Sequence, residues 1–337
     1  MDFRLSEEQL SIQSVARDFA QKRIAPIAAE LDAKGTFPLE TIREMGQLGL
    51  MGIEVPAEYG GAGMDPVAYA LAMIEIGAAD TAHSTIMSVN NSLYCNGILQ
   101  HGSEEQKQKY VRAIASGEHI GAYALTEPQS GSDASAMHTQ ATKNAAGDWV
   151  INGKKSWITS GPVARYIILF VITTPGIGAK GISAFIIDTS RPGFHAGKTE
   201  PKLGIRASAT CEIEFRDYVC PAADMLGAQG KGFGIAMGVL DAGRIGIASQ
   251  AVGLCRAAYE ASVAYVQERK AFGQAIGSFQ MIQAKIADMK CRLDAATLLT
   301  LRAAFAKGEA ERTGGRFSTE AAVDRKSTRL NSSHRMP

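Results

Sequence analysis

The chain has 337 residues, enough for two or three packed domains. It is 46% hydrophobic and 20% charged, with a net charge of +1. That balance fits a soluble globular protein and gives no basis for a nucleic-acid partner. No apolar run reaches the ~18 residues that span a bilayer, so no membrane association is expected. The opening MDFRLSEEQL is neither a secretory signal nor an Arg-rich transit peptide, and a cytoplasmic protein is expected. Cys95, Cys211, Cys220, Cys255 and Cys291 are scattered without a C-x-x-C pair and read as reduced thiols. The histidines lack ligand spacing, so no metal site is expected.

In chain order, the first zone is helical. Ser6 and Gln9 form a capping box, and Ile12, Val15, Ala16 and Phe19 mark one face. Pro26 and Pro38 are expected to interrupt. The Gly-rich EVPAEYGGAGMD leads into further helices, and Ser103 with Gln106 makes a second capping box. From Gly121 to Gly230 the period is two. WVINGKKSWI carries Asn152-Gly153, a hairpin signal. YIILFVI and ISAFIID read as buried strands, and TCEIEF alternates. Short strands at this spacing predict a small barrel or sandwich. From Gly232 two long helices are expected, Phe233 to Arg269 and Phe279 to Ala306, broken by RKAFGQAIGS. On the second, Phe279, Ile282, Ile286, Met289 and Leu293 share a face. A further helix opens at Ser318 and fails at Asp324. The expected domains are 1–120 helical, 121–230 β, 231–323 helical bundle, and a tail at 324–337.

Gly-rich phosphate loops are not found. GDWVINGK has five residues where a P-loop needs four, and GAQGKGFG fits neither nucleotide template. The helix–strand–helix zoning also disagrees with a doubly wound sheet.

Four stretches carry candidate chemistry. YALTEPQSGSD (123–133) is dense in hydroxyls and small residues, suited to a surface turn or to a ligand loop. In KSWITSG (155–161), the tryptophan beside Ser156 and Thr159 is a core aromatic or a flat wall for a planar cofactor. In LDAGRIGIASQ, Asp241 and Arg244 share a helix face as an ion pair or as ligand contacts. In ERKAFGQAIGSFQ, Arg269 ends a helix, where a cation is favourable in any case.

In this order and spacing, TEPQSGSD, WIT, LDAGRIGIA and RKAFG resemble the acyl-CoA dehydrogenase family over essentially the whole chain to Val323. HSTIMSVNNSLYCNGILQHGSEEQKQKY and KLGIRAS look most like its short-chain (butyryl-CoA) branch. The resemblance implies an α+β fold: N-terminal helices, a central small β-barrel domain, and a C-terminal helical bundle, incomplete here. It implies a homotetramer, FAD as cofactor, an acyl-CoA substrate and electron-transfer flavoprotein as acceptor. Tyr123 to Ser132 would line the flavin, with Leu125 and Thr126 at its pyrimidine side. Ser132 would also meet the pantetheine arm of the thioester. Trp157 would cover the isoalloxazine, with Ile158 and Thr159 near its reactive edge. Arg269, Phe272 and Gln280 would serve the FAD of a neighbouring subunit, and Asp241 and Arg244 the CoA portion. Gln129 stands where the family commonly has Gly, which would cost about 1 kcal/mol or more if the turn needs positive φ.

The family reaction is α,β-dehydrogenation: a carboxylate takes the α-proton while the β-hydrogen leaves as hydride to the flavin. The base usually lies in a Y-E-G-T-type motif beyond the point matched by Val323, after an H-G-G-x-G-type loop, and neither motif occurs here. The alternative base position, just before the substrate arginine, is Gly243. The resemblance therefore yields no catalytic residue within the chain. It implies a truncated chain whose DRKSTRLNSSHRMP is a foreign tail. Poor solubility and weak FAD retention are then expected. Two other functions remain open: a catalytically silent flavin- or acyl-CoA-binding protein, and an acyl-CoA oxidase of the same fold.

Overall fold

The structure is a computed structural model, and it describes residues 4–315 and Phe317. The helix expected from Ser318 and the tail from residue 324 lie outside the described residues. Helices α1 (Glu7–Phe19) and α2 (Ala25–Lys34) open the chain, joined by a π turn at Ala20–Ile24. They are followed by α3 (Leu39–Gln47), α4 (Pro66–Ala79), α5 (Thr81–Ser88), α6 (Asn96–His101), α7 (Glu104–Gln106) and α8 (Arg112–Ala115). The strands are β1 (Gly121–Ala124), β2 (Gln140–Lys143), β3 (Trp149–Thr159), β4 (Tyr166–Ile172), β5 (Ile182–Asp188), β6 (Phe194–Thr199), β7 (Thr210–Cys220) and β8 (Met225–Leu226). Then come α9 (Gly232–Glu268), the short strands β9 (Lys270–Ala271) and β10 (Gln274–Ala275), and α10 (Gln280–Thr313).

Both capping boxes form. Gln9 N donates to Ser6 Oγ (3.2 Å) while Ser6 N donates to Gln9 Oε1 (3.0 Å), and Ser103 and Gln106 repeat the exchange. Ile12, Ala16 and Phe19 are buried, but Val15 lies at the margin of that stripe and is exposed. Pro26 does not interrupt. It sits inside α2, just past the π turn, where Ala25 N–H bonds back five residues to Ala20 O. The widened turn takes up a ring that lacks a donor. Pro38 does mark a boundary, preceding α3.

The chain divides into two compact units. The first comprises residues 1–28, 65–84 and 244–337. Its core joins Val67, Ala70 and Leu71 of α4 to Ile245 of α9 and Ala303 and Ala304 of α10. Glu75 of α4 is buried there and accepts paired hydrogen bonds from Arg17 and from Arg256, plus one from Gln13 (3.0 Å). Burial alone would raise this carboxyl; Arg256 and Arg17 outweigh it and hold the carboxyl below its ordinary range. The helix α10 runs past the expected Ala306 to Thr313, where Gly314 in the left-handed region stops it.

The second unit comprises residues 29–64 and 85–243. Its sheet has the order β6-β7-β3-β2-β4-β5-β8, with β1 added parallel to β4. YIILFVI and ISAFIID are β4 and β5 to the residue. Their alternate residues feed two cores. Ile168, Phe170, Ile182, Ala184 and Ile186 face α6, α8 and the start of α9. Ile167, Leu169, Val171, Phe185 and Ile187 face the inner side of β3 and β7, as in a barrel interior. Buried on both sides, these strands read as unbroken apolar runs.

Asn152-Gly153 is not a turn. The β3 strand runs straight through it, and the hairpin to β2 closes at Asn144–Asp148 instead, where Gly147 takes φ +88°. The Asn–Gly pair answers a bulge in β7 opposite, at Asp217 (φ +49°), whose N–H donates to Asn152 Oδ1 (2.8 Å). Gly153 has φ +144°, and a Cβ there would lie 2.6 Å from Thr139 Oγ1 and 2.7 Å from Thr139 Cα. Gly153→Ala is expected to destabilise the protein by about 2 kcal/mol. A denaturant midpoint equal to that of the unchanged protein would refute this.

Candidate functional site

The two strongest motifs meet at the C-terminal end of β3. In β3, Trp149, Ile151, Gly153 and Lys155 form the inward row. Continued period two would send Trp157 inward as well. A bulge between Lys155 and Ile158 adds a residue, so Ser156 and Ile158 are buried and Trp157 turns out. Trp157 has φ +62° and is 63% exposed, which rules out a core aromatic. A bulky residue in the left-handed region costs about 1–2 kcal/mol and persists only where its surroundings enforce it.

The enforcement comes from the loop after β1. Ser156 N–H donates to Thr126 O (2.9 Å), and Ser156 Oγ donates to Glu212 Oε1 (2.9 Å) on β7. Lys155 is fully buried and donates from Nζ to Leu125 O (3.1 Å) and Glu127 Oε1 (2.8 Å). The Glu127 carboxylate also accepts from His138 N (2.5 Å), Thr139 N (3.0 Å) and Gln129 Nε2 (2.7 Å). Burial pushes the Glu127 carboxyl up, but Lys155 and these donors prevail and hold it at about 2. Burial draws the Lys155 ammonium down, against the pull of Glu127. Gln129 does not have a positive φ, so the strain expected at that position is not incurred.

Tyr123, Leu125, Thr126, Ser132, Trp157, Ile158 and Thr159 all belong to this unit. Tyr123 is half-buried, stacks at 5.0 Å on Phe170 and donates from its hydroxyl to Ala236 O (3.2 Å). Leu125 and Ile158 are buried, Thr126 and Thr159 half-buried, and Ser132 exposed. Sequence reading missed Glu127 and Lys155. The available signal was a lysine on the inward row of a strand, a placement that demands a buried partner.

Arg269, Phe272 and Gln280 form a second group, in the other unit. RKAFGQAIGS is a hairpin, not an open loop: β9 and β10 pair, and Ile276 N–H donates to Arg269 O (2.8 Å). Phe272 (φ +50°) and Gly273 (φ +80°) make its two-residue turn, and Phe272 is 96% exposed. Arg269 and Gln280 are exposed beside it. A groove of about 680 Å³ lies between the end of α9 and α10, lined by Tyr259, Val263, Ile282, Ile286 and Lys290 among others. Asp241 and Arg244 are half-buried, one turn apart on α9. Gly243 between them is buried, and a Cβ there would come within 2.7 Å of Leu93 Cδ2.

Five non-glycine residues have positive φ among the described residues, and two of them are the exposed aromatics Trp157 and Phe272. Strain is thus spent on holding flat apolar side chains outward at the positions the motifs single out. Three family profiles match in succession: acyl-CoA dehydrogenase N-terminal domain over residues 6–118, middle domain over 122–218, and C-terminal domain over 230–324.

The chain belongs to the acyl-CoA dehydrogenase family. Family members are oxidoreductases, and the fold is theirs, with N-terminal helical, middle β and C-terminal helical domains. The short-chain specific acyl-CoA dehydrogenase of Clostridium acetobutylicum is 46% identical over 308 residues, covering 91% of this chain and 81% of that protein. The structure of butyryl-CoA dehydrogenase from Megasphaera elsdenii superposes with a TM-score of 0.94 at 41% identity, covering 97% of this chain and 85% of the other. A structure of PigA with FAD and proline superposes with a TM-score of 0.91 at 28% identity, covering 97% and 85%.

Two outcomes follow for stability. The depressed Glu127 carboxyl stabilises the fold above the ordinary carboxylate range, and that contribution is lost as pH falls from about 4.3 towards 2. Urea midpoints measured from pH 5 to 3 should therefore drop, and Glu127→Gln should flatten the profile. At Trp157, strain relief offsets the loss of about 2 kcal/mol of partial burial. Trp157→Gly should stay within about 1 kcal/mol of the unchanged protein, whereas Trp149→Ala should cost about 3–5 kcal/mol. Equal losses at the two positions would show that Trp157 is ordinary packing.

Proposed function

We propose that this chain binds FAD and short-chain acyl-CoA thioesters, for α,β-dehydrogenation to the trans-2-enoyl-CoA. The carrying observation is the outward Trp157 on its bulge, tied to Leu125, Thr126 and Glu127. An exposed indole flanked by hydroxyls and main-chain groups fits a planar ring with polar edges. FAD, when bound, supplies the acceptor for the β-hydride. Leu125, Thr126 and Ser132 would orient the pyrimidine side and the thioester arm. Trp157 would cover the ring face and keep water from it, with Ile158 and Thr159 at its edge. Asp241 and Arg244 are the proposed contacts to CoA. Arg269, Phe272 and Gln280 are the proposed contacts to FAD of a neighbouring copy in a homotetramer. Electron-transfer flavoprotein is the proposed electron acceptor, and no membrane is part of the reading. Among the described residues no helix is long and apolar enough to cross one. A cytoplasmic place belongs to the same proposal, supported by five unpaired thiols. So do the domain boundaries near residues 120, 230 and 323.

Within these 337 residues neither position where the family places its base holds a carboxylate: position 243 is glycine and no Y-E-G-T-type motif occurs. For these 337 residues the proposal is therefore ligand binding with no base assigned among them. A positioned base contributes about 10²–10⁴-fold. The FAD-loaded chain, mixed anaerobically with butyryl-CoA, should show a shifted flavin spectrum and bleach at least about a hundredfold slower than a family member with its base in place. Bleaching at an ordinary family rate would locate a base inside the chain. Peroxide release under air would instead favour the oxidase reading.

A further inference from the structure

We infer that Glu127, Lys155 and Gln129 are positioning residues: an internal charged anchor that fixes the loop 125–139 against the Trp157 bulge and so sets how tightly the flavin face is held. The inference rests on the flavin reading above, and it assigns positioning work to three residues to which that reading gives no individual ligand contact.

The Glu127 carboxylate gathers four donors drawn from two places. Gln129 Nε2 and the main-chain N–H groups of His138 and Thr139 belong to the loop, and Lys155 Nζ belongs to β3. The loop therefore wraps one carboxylate, leaving from residue 127 and returning at 138–139. Its first turn is closed independently by the paired main-chain bonds between Glu127 and Ser130 (3.0 and 3.1 Å). Lys155 joins this wrapped loop to the strand. Its second bond, to Leu125 O (3.1 Å), fixes the carbonyl next to Thr126, whose own carbonyl accepts from the bulge residue Ser156 (2.9 Å). Two consecutive carbonyls of one motif are thus bound by two consecutive residues of the other. Loosening the carboxylate releases the loop end that carries Ser132 and the strand end that carries Trp157.

Burial separates this role from ordinary surface bonding. Lys155 and Glu127 are 0% and 2% exposed at their side chains, so water cannot replace either partner. Gln129 is exposed, and its bond adds a donor from the tip of the turn without belonging to the core.

The test compares the unchanged 337-residue chain with the double variant Glu127→Gln/Lys155→Met and with Gln129→Ala. The double variant removes both charges together, so that neither is left buried alone. Three readouts are taken below the unfolding temperature, with circular dichroism as the check on folding: FAD dissociation constant by flavin fluorescence, absorption spectrum of bound FAD, and protease cleavage between residues 127 and 139 without FAD. The double variant should bind FAD about tenfold more weakly or worse, with an altered bound spectrum and faster loop cleavage. Gln129→Ala should weaken FAD about threefold. If the unchanged chain takes up no FAD, the flavin reading fails. If it binds FAD and both variants match it in affinity, spectrum and cleavage, the anchor alone is overturned. Should the double variant not fold, Gln129→Ala decides: FAD affinity and loop cleavage like those of the unchanged chain overturn the anchor.

Discussion

A lysine cannot be buried alone. Transferring an ammonium group out of water costs several kcal/mol even after relaxation, and only a partner with its remaining valences satisfied makes the placement tolerable. Lys155 sits on the inward row of β3, and Glu127 must therefore be where it is. From that single requirement follow the path of the loop after β1, the four donors converging on one carboxylate, and the fixed main chain at Leu125 and Thr126. Breaking one member leaves a stranded charge, at a cost of about 3–5 kcal/mol, so the two charges stand or fall together.

The second layer of the design is strain. The bulge at Ser156–Trp157 reverses the side-chain alternation of β3 just after Lys155, and it holds an indole in a backbone region that only glycine occupies freely. The hairpin turn at Phe272–Gly273 does the same for a phenyl ring. Trp157 keeps only partial burial and Phe272 only an edge contact with Phe279, so the strain is offset in part by the rigid sheet on one side and by the hairpin closure on the other. Backbone strain with little packing return is a feature that clusters at ligand-binding surfaces.

Much of this was legible in the sequence. The two capping boxes, the unbroken apolar runs of β4 and β5 and the switch from period 3.6 to period two and back all follow from local rules. Where local rules erred, a distant partner decided. Asn152-Gly153 has turn chemistry, yet the extra residue it answers sits 65 positions away at Asp217. Pro26 has breaker chemistry, yet the π turn before it makes room. Trp157 obeys period two until a bulge shifts it, and no composition rule announces a bulge. Glu127 lay inside the motif that was singled out, but a carboxylate among hydroxyls reads as solvated until the lysine facing it is placed. The site residues group by their resemblance to the family; the bonds between the two motifs depend on the three-dimensional fold.

The interleaving of the first unit bears on how the chain is made. The helix α4 is apolar on every side, with Glu75 buried at its centre, and it is complete by residue 79. Arg17 is already present then, but Arg256 lies 181 residues further on, and the packing residues Ala303 and Ala304 later still. At synthesis speeds of about 5–20 residues per second, a ribosome needs roughly 10–40 s to deliver that arginine. Throughout that interval a greasy helix with a half-neutralised carboxylate has no finished home, while strands β1 to β8 emerge and close on themselves. Until then α4 can bury apolar surface only against what is already made, α1 above all, so completion of the first unit waits on α9 and α10.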